Sequence, residues 1–363
     1  MMYDSNMNMK CMTFSSESMQ EEAFMKVLFI GGTGTISMAI TKKLAETDCE
    51  LYLFNRGSRN EALPKNINII KGDINNEAEA AELLKDLSFD VVCDFIGFGK
   101  GQVERDYRLF AGKTKQYMYI SSASAYHKPC KSYVITEGTS LANPYWEYSR
   151  NKIVCEDYLM QMYRENEFPV TIVRPSHTYD DRSVPLGVHG DKGSWQVIKR
   201  MLEDKPVIVH GDGTSLWTMT HNSDFAKAFI GLMGNPHAIG EVFQITSDET
   251  LTWNQIYQTV ADVLGVPFRP YYVSSAFLAE AGPYDFTGAL LGDKACSVVF
   301  DNAKVKRAVP EFVPTVRFEE GVRKVIENVL AHPEFQTEDP EFDAWCDRVI
   351  EVQEEAKAKL RRK

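Results

Sequence analysis

Tyr148 and Lys152 stand four residues apart in Tyr148-Ser149-Arg150-Asn151-Lys152, a spacing that puts both side chains on one face of a helix. A phenol ionises near pH ~10, too high for a base at neutral pH, and a neighbouring ammonium lowers that value. Proton transfer at a hydroxyl or carbonyl is the chemistry such a pair suits. Tyr-x-x-x-Lys alone recurs by chance in a chain with 16 tyrosines, so a third feature has to discriminate. It comes from Ile120-Ser121-Ser122-Ala123-Ser124-Ala125-Tyr126. There hydroxyls follow an apolar run, at the strand end where doubly wound sheets bind ligands. Ser122 is expected to hold a substrate oxygen while Tyr148 moves its proton, with Ser124 beside it on the substrate.

A second cluster precedes these. Gly31-Gly32-Thr33-Gly34-Thr35-Ile36-Ser37 falls between a buried-strand candidate and a helix. In that position backbone N–H groups and the positive helix end approach a pyrophosphate. Gly31 is expected to make the tight turn and Gly34 the close approach, so Gly31, Thr33, Gly34, Thr35 and Ile36 are assigned to a dinucleotide. Lys152 is placed to hold its ribose. A glycine-rich turn also serves ordinary turns, and its strand–helix setting is what gives it meaning. The second strand ends Phe54-Asn55-Arg56-Gly57-Ser58-Arg59, where an NAD site usually has an Asp or Glu on the ribose hydroxyls. Asn55 cannot repel a 2′-phosphate and Arg56 or Arg59 can pair with one, so NADP is favoured over NAD. Asp73 with Ile74, after the third strand, meets the adenine edge or caps the next helix.

The elements that must position these groups alternate from Met25 onward. Apolar runs at 26–30, 51–54, 67–70, 90–95, 116–120 and 170–173 read as strands, separated by helical stretches including about 148–165. Near-continuous apolar strands alternating with helices imply a parallel, doubly wound sheet. After Arg174-Pro175 the rhythm loosens, and later helices (about 222–232, 253–264 and 319–330) predict a smaller, mostly helical substrate lobe. The expected division is an extension over 1–24 with Met25 as the working start, a dinucleotide domain over 25–175, a substrate lobe over 176–335 and a helical tail over 336–363.

Bulk properties exclude several classes. The formal net charge of −11 disfavours a nucleic-acid or anionic-membrane surface. No apolar run reaches the ~18 residues of a membrane helix, and residues 1–24 lack the apolar core of a signal peptide. The seven cysteines (Cys11, Cys49, Cys93, Cys130, Cys155, Cys296 and Cys346) are odd in number and contain no C-x-x-C pair, so neither a disulfide framework nor a zinc site follows. Asp180-Asp181 with His177 and His189 lacks metal-ligand spacing, and no metal is expected. A cytoplasmic enzyme is the simplest class.

Cradle, serine and Tyr/Lys pair in this order resemble the extended or atypical short-chain dehydrogenase/reductases, the NAD-dependent epimerase/dehydratase family. The resemblance runs from Met25 to about Val329. It implies a Rossmann fold, Ser122, Tyr148 and Lys152 as catalytic triad, and Gly31, Gly34 and Asp73 on the cofactor. Val173-Arg174-Pro175, Gly211-Asp212-Gly213 and His221-Asn222-Ser223-Asp224 are further family-like landmarks. Homodimers are common in the family, and that assembly stays open here. Two departures weaken a nucleoside-diphosphate sugar as substrate. Ser176-His177-Thr178-Tyr179-Asp180-Asp181 replaces the usual x-Asn-x-Tyr-Gly-Pro, and Trp217 stands where an Arg often meets the diphosphate; an indole makes no bidentate phosphate contact. His177, Tyr179 and Trp217 are expected instead to line a pocket for a sugar-like ring. A dinucleotide-dependent epimerase or dehydrogenase is the leading expectation. A non-catalytic dinucleotide-sensing regulator and an RNA-binding atypical relative are the alternatives, the first disfavoured by the intact Ser/Tyr/Lys set and the second by the acidic charge.

Overall fold

A computed structural model describes residues 24–58 and 63–361. Residues 1–23 of the expected extension, and Arg59, lie outside the described residues. Seven parallel strands form the central sheet: β1 (Lys26–Ile30), β2 (Glu50–Asn55), β3 (Asn68–Lys71), β4 (Phe89–Asp94), β5 (Thr114–Ile120), β6 (Val170–Pro175) and β7 (Val242–Ile245). Their order is β7-β6-β5-β4-β1-β2-β3, so strand order reverses between β1 and β4, the switch point at which such sheets bind ligands.

Side-chain alternation along β1 divides the core. Val27 and Phe29 pack on one face with α1 (Ser37–Leu44) and α6 (Asn222–Leu232). Leu28 and Ile30 pack on the other, over α2 (Glu77–Leu83), α3 (Lys100–Phe110) and α4 (Glu147–Asn166). Both faces are covered, which is why the strands read as continuous apolar runs rather than alternating ones. A third core holds the second lobe, built on α5 (Trp195–Leu202), α7 (Trp253–Leu264), α8 (Ser275–Ala281), α10 (Phe318–Ala331) and α11 (Pro340–Arg361). Short ladders link these helices, among them 177–179 on 219–221 and 207–210 on 270–273.

The lobes interleave. β7, α6 and α9 (Ala303–Ala308) come from residues past 175 yet complete the sheet layer. Residues 299–300 return to pair with 134–135. Among the described residues, no helix is long and apolar enough to cross a membrane.

Candidate active site

β1 delivers the chain into Gly31 and Gly32, with φ of +103° and +96°, values that favour glycine. A Cβ on Gly32 would lie 2.6 Å from Leu53 Cδ2. Close packing against β2 therefore belongs to Gly32, which the sequence reading passed over. Thr33 continues the turn, and Gly34 is exposed, its N–H donating to Ser37 Oγ at 2.9 Å. Gly34, Thr35, Ile36 and Ser37 open on a cavity of about 340 Å³ whose other walls include Phe98, Ser122, Tyr148 and Lys152. A bare glycine edge and the first turn of α1 facing one cavity fit the pyrophosphate of a dinucleotide. From the second lobe, Asn222 donates to Thr35 O at 3.0 Å and Arg182 to Thr35 Oγ1 at 3.3 Å. These two contacts had no signal in the motif itself, because their partners lie far along the chain.

Asn55, Arg56, Asp73 and Ile74 sit at or just after the ends of β2 and β3, outside that cavity's lining. Asn55 Oδ1 accepts the Gly57 N–H at 2.8 Å, and Arg56 is exposed. Asp73 Oδ1 accepts the Asn75 N–H at 3.0 Å, forming a turn. Asn76, not Asp73, caps α2, and the Ile74 side chain is buried.

Tyr148 lies in the first turn of α4 between the rings of Trp146 and Phe98, with centroid separations of 5.0 and 6.3 Å. One turn on, Lys152 is buried, its ammonium donating to Gly97 O and Ile120 O at 2.7 Å each. Burial pulls the amine down to about 8, against the opposing charge of Asp94. Burial also pushes the Tyr148 phenol up, a hydrogen bond with Ser122 pulls it back, and the Asp293 charge adds to the rise. Lys152 by itself therefore does not bring the phenol below its ordinary value. Its ammonium is committed to two carbonyls, 5.8 Å from the Tyr148 ring centroid, and desolvation of the phenol outweighs it. Ser122 starts the tight turn 123–125 after β5 and belongs to a chain of hydroxyls: Ser149 donates to Ser124 Oγ at 2.7 Å, and Ser124 Oγ lies 2.8 Å from Ser122 Oγ. Ser124 is buried and links Ser122 to Ser149 of α4.

On the other side of Tyr148 lies a second cavity, of about 250 Å³. Ser122, Ser124, Trp146, Tyr148, His177 and Trp217 line it, together with Lys128, Asp293 and Lys294. His177 is pushed down to about 3 by burial, then by the charges of Lys294 and His189, and so stays neutral. Its Nδ1 faces the Trp217 indole N–H at 3.4 Å. Tyr179 is not brought to this cavity. It is buried against His221 and Phe318, with its hydroxyl in contact with no hydrogen-bond partner among the described residues. Asp180 is paired with Arg182, and Asp181 lies 3.4 Å from His221 Nε2. Among the described residues, no group of three or more His, Cys, Asp or Glu side chains could hold a metal. Lys128, Asp293 and Lys294 carry no sequence motif and were missed; the fold alone unites them.

Residues 27–246 match the NAD dependent epimerase/dehydratase family. The chain is 24% identical to the 2'-dehydrokanamycin reductase of Streptomyces kanamyceticus over 260 residues, 72% of each chain. It is 27% identical to the chloroplast stem-loop binding protein of 41 kDa b of Arabidopsis thaliana over 255 residues, 67% of this chain and 64% of that one. The UDP-glucuronic acid 4-epimerase of Bacillus cereus, solved with UDP-glucuronic acid and NAD, shares the fold with a TM-score of 0.68 at 19% identity, over 85% of this chain and 99% of that one. With the family match spanning more than half of its length, the chain belongs to the NAD dependent epimerase/dehydratase family, enzymes of the extended short-chain dehydrogenase/reductase type.

Proposed function

We propose that the protein catalyses epimerisation or dehydrogenation at a carbinol carbon of a sugar-like substrate, with Tyr148 as the group that moves the hydroxyl proton. The observation that carries this reading is the meeting of two cavities at Ser122 and Tyr148, one walled by the glycine cradle and the other by His177 and Trp217. Gly34, Thr35, Ile36 and Lys152 would hold a nicotinamide dinucleotide in the first cavity, and the cofactor would supply hydride acceptance and return. Ser122 orients the substrate hydroxyl, and Tyr148 takes its proton and returns it in the reverse direction. Lys152 holds the ribose side of the cofactor while anchored by Gly97 and Ile120. Asn55 in place of a carboxylate, with Arg56 exposed beside it, supports a preference for NADP.

Tyr148→Phe is expected to lower turnover of a panel of sugar-like alcohols by at least ~100-fold while leaving dinucleotide affinity in place. Titration with NAD, NADH, NADP and NADPH, plus release of any copurified nucleotide by denaturation, completes the test. Tightly retained NAD marks an internal redox cycle and an epimerase; exchangeable binding that prefers NADPH marks a net reductase. Near-normal turnover in the variant would remove the tyrosine mechanism. Absence of dinucleotide binding would return the chain to the RNA-binding reading.

A further inference from the structure

We infer that the substrate cavity beside Tyr148 is built to receive an anionic group, a carboxylate or phosphate carried by the substrate, between the ammonium groups of Lys128 and Lys294. The inference rests on the reading of that cavity as the substrate site.

The lining contains two lysines and a single carboxylate, Asp293. Lys128 is 2% exposed, and its contacts with Asp293 are long: 3.4 Å to the backbone oxygen and 3.9 Å to Oδ1. Among the described residues, the Lys294 ammonium has one hydrogen bond, to Ala289 O at 3.4 Å. Two ammoniums facing one distant carboxylate leave the lining itself positive, and an ammonium with only a long contact, as Lys294 has, is costly to enclose until something pairs with it. Burial accordingly pulls the Lys294 amine down against the opposing pull of Asp293. Lys128 also has a side-chain hydrogen bond with Cys130, which is bonded in turn to Cys296, and neither thiol lines the cavity.

Asp293 and Lys294 end a π-helical segment, Thr287–Lys294, whose wide turn is seen in the Ala295 N–H to Leu290 O bond of 2.9 Å. Such segments are frequent at functional sites. The Lys294 carbonyl is pinned by three side chains: Trp253 Nε1 at 3.2 Å, His210 Nε2 at 3.3 Å and Ser215 Oγ at 3.3 Å. Trp253 and His210 are both buried, and His210, pushed down to about 4 chiefly by burial, is neutral and donates through Nε2. Three donors on one carbonyl fix the backbone from which the Lys294 side chain enters the cavity. At about 250 Å³ the space lies below the ~300–1,000 Å³ of drug-sized sites, suiting one ring and its charged substituent. The same surplus works against a cationic aminosugar.

The test is a titration of the intact protein, saturated with dinucleotide, followed through quenching of Trp146 and Trp217 fluorescence. The probes are glucuronate, glucose 6-phosphate, UDP-glucose, glucose and glucosamine. Glucuronate or glucose 6-phosphate is expected to bind about tenfold or more tighter than glucose, and glucosamine no better than glucose. Which of the two binds identifies the source as ring carboxylate or phosphate ester, and a preference shown by UDP-glucose alone overturns the inference. Lys294→Met and, separately, Lys294→Gln are expected to remove that preference, as is Lys128→Met, while each still binds dinucleotide. Equal binding of glucose, no binding of any anion, or an unchanged preference in both Lys294 variants overturns the inference. Those results leave the proposed function standing if turnover still depends on Tyr148, whereas loss of dinucleotide binding by the wild-type protein sinks the function itself.

Discussion

Lys152 is the residue at which burial and chemistry pull in opposite directions. Its amine is enclosed by Gly97 O, Ile120 O and the rings of Phe98 and Tyr119, and burial holds its pKa down to about 8 against an ordinary 10.5. Between those values the unfolded chain binds a proton that the folded chain does not, so this residue's contribution to stability grows as pH rises through the window. Each pH unit above the folded value is worth about 1.4 kcal/mol. Lys152→Met removes the titration and also leaves two carbonyls without their donor, a cost that does not change with pH. The stability of the wild type relative to Lys152→Met, measured by urea unfolding, is expected to increase by roughly 2 kcal/mol between about pH 7 and about pH 9.5. Taking the difference cancels the thiols and phenols that titrate in the same range. A difference independent of pH would mean that the amine titrates normally. The Tyr148, Lys152 and Ser122 set was legible because spacing on a helix and position at a strand end are properties of the sequence itself. Lys128 and Lys294 were not legible, since their significance is their shared cavity.

At the scale of elements, α4 must be held against the ends of β5 and β6 for Tyr148 to meet Ser122. The holding point is one turn beyond Lys152. Glu156 accepts from Arg174 Nε at 2.9 Å and Nη2 at 2.5 Å, and also from the Ser121 hydroxyl. The guanidinium lies 4.8 Å from the centroid of the Tyr126 ring. One ion pair, buried at both ends, thus ties the helix to two strand ends. This gives the Val173-Arg174-Pro175 landmark its physical reason, which the sequence could not supply because Ser121, Glu156 and Arg174 sit on three separate elements. Element boundaries were easier to read. The helices at 222–232 and 253–264 were placed from apolar periodicity and stand where expected; the second is closed by a Thr252–Gln255 capping box and by Gly265 at φ +71°, both local signals. Arg174→Met is expected to cost about 3–5 kcal/mol, because it strands a buried carboxylate. Arg174→Met with Glu156→Gln should recover much of that loss. Denaturant unfolding of the three proteins checks this, and a single-variant cost below about 1 kcal/mol would show that the pair does not hold the helix.

For the whole molecule, the sequence suggested two consecutive lobes with a break after residue 175, and the topology argues that neither half is independent. β6 is buried along all six of its residues. It is flanked by β5 on one side and, through register pairs from Val242↔Ile172 to Ile245↔Pro175, by β7 on the other. The face of the sheet formed by Val27, Phe29, Val91 and Met118 is covered by Phe225, Phe229 and Leu232 of α6. Periodicity identified α6 as a helix but could not say that it returns to the first lobe, since a pattern records which face is apolar and not what covers it. A chain ending at 175 would therefore expose a long apolar strand edge and an uncovered sheet face together, the combination that favours aggregation over folding. Expressed alone, residues 24–175 are expected to be insoluble or to unfold without a cooperative transition, whereas supplying residues 176–361 in trans should restore soluble material that binds dinucleotide. Circular dichroism and size-exclusion chromatography of the fragment distinguish the outcomes. A soluble, cooperatively folding 24–175 fragment would mean that the first six strands carry their own stability, and that β7 and α6 serve to place Asn222 on Thr35 rather than to complete the core.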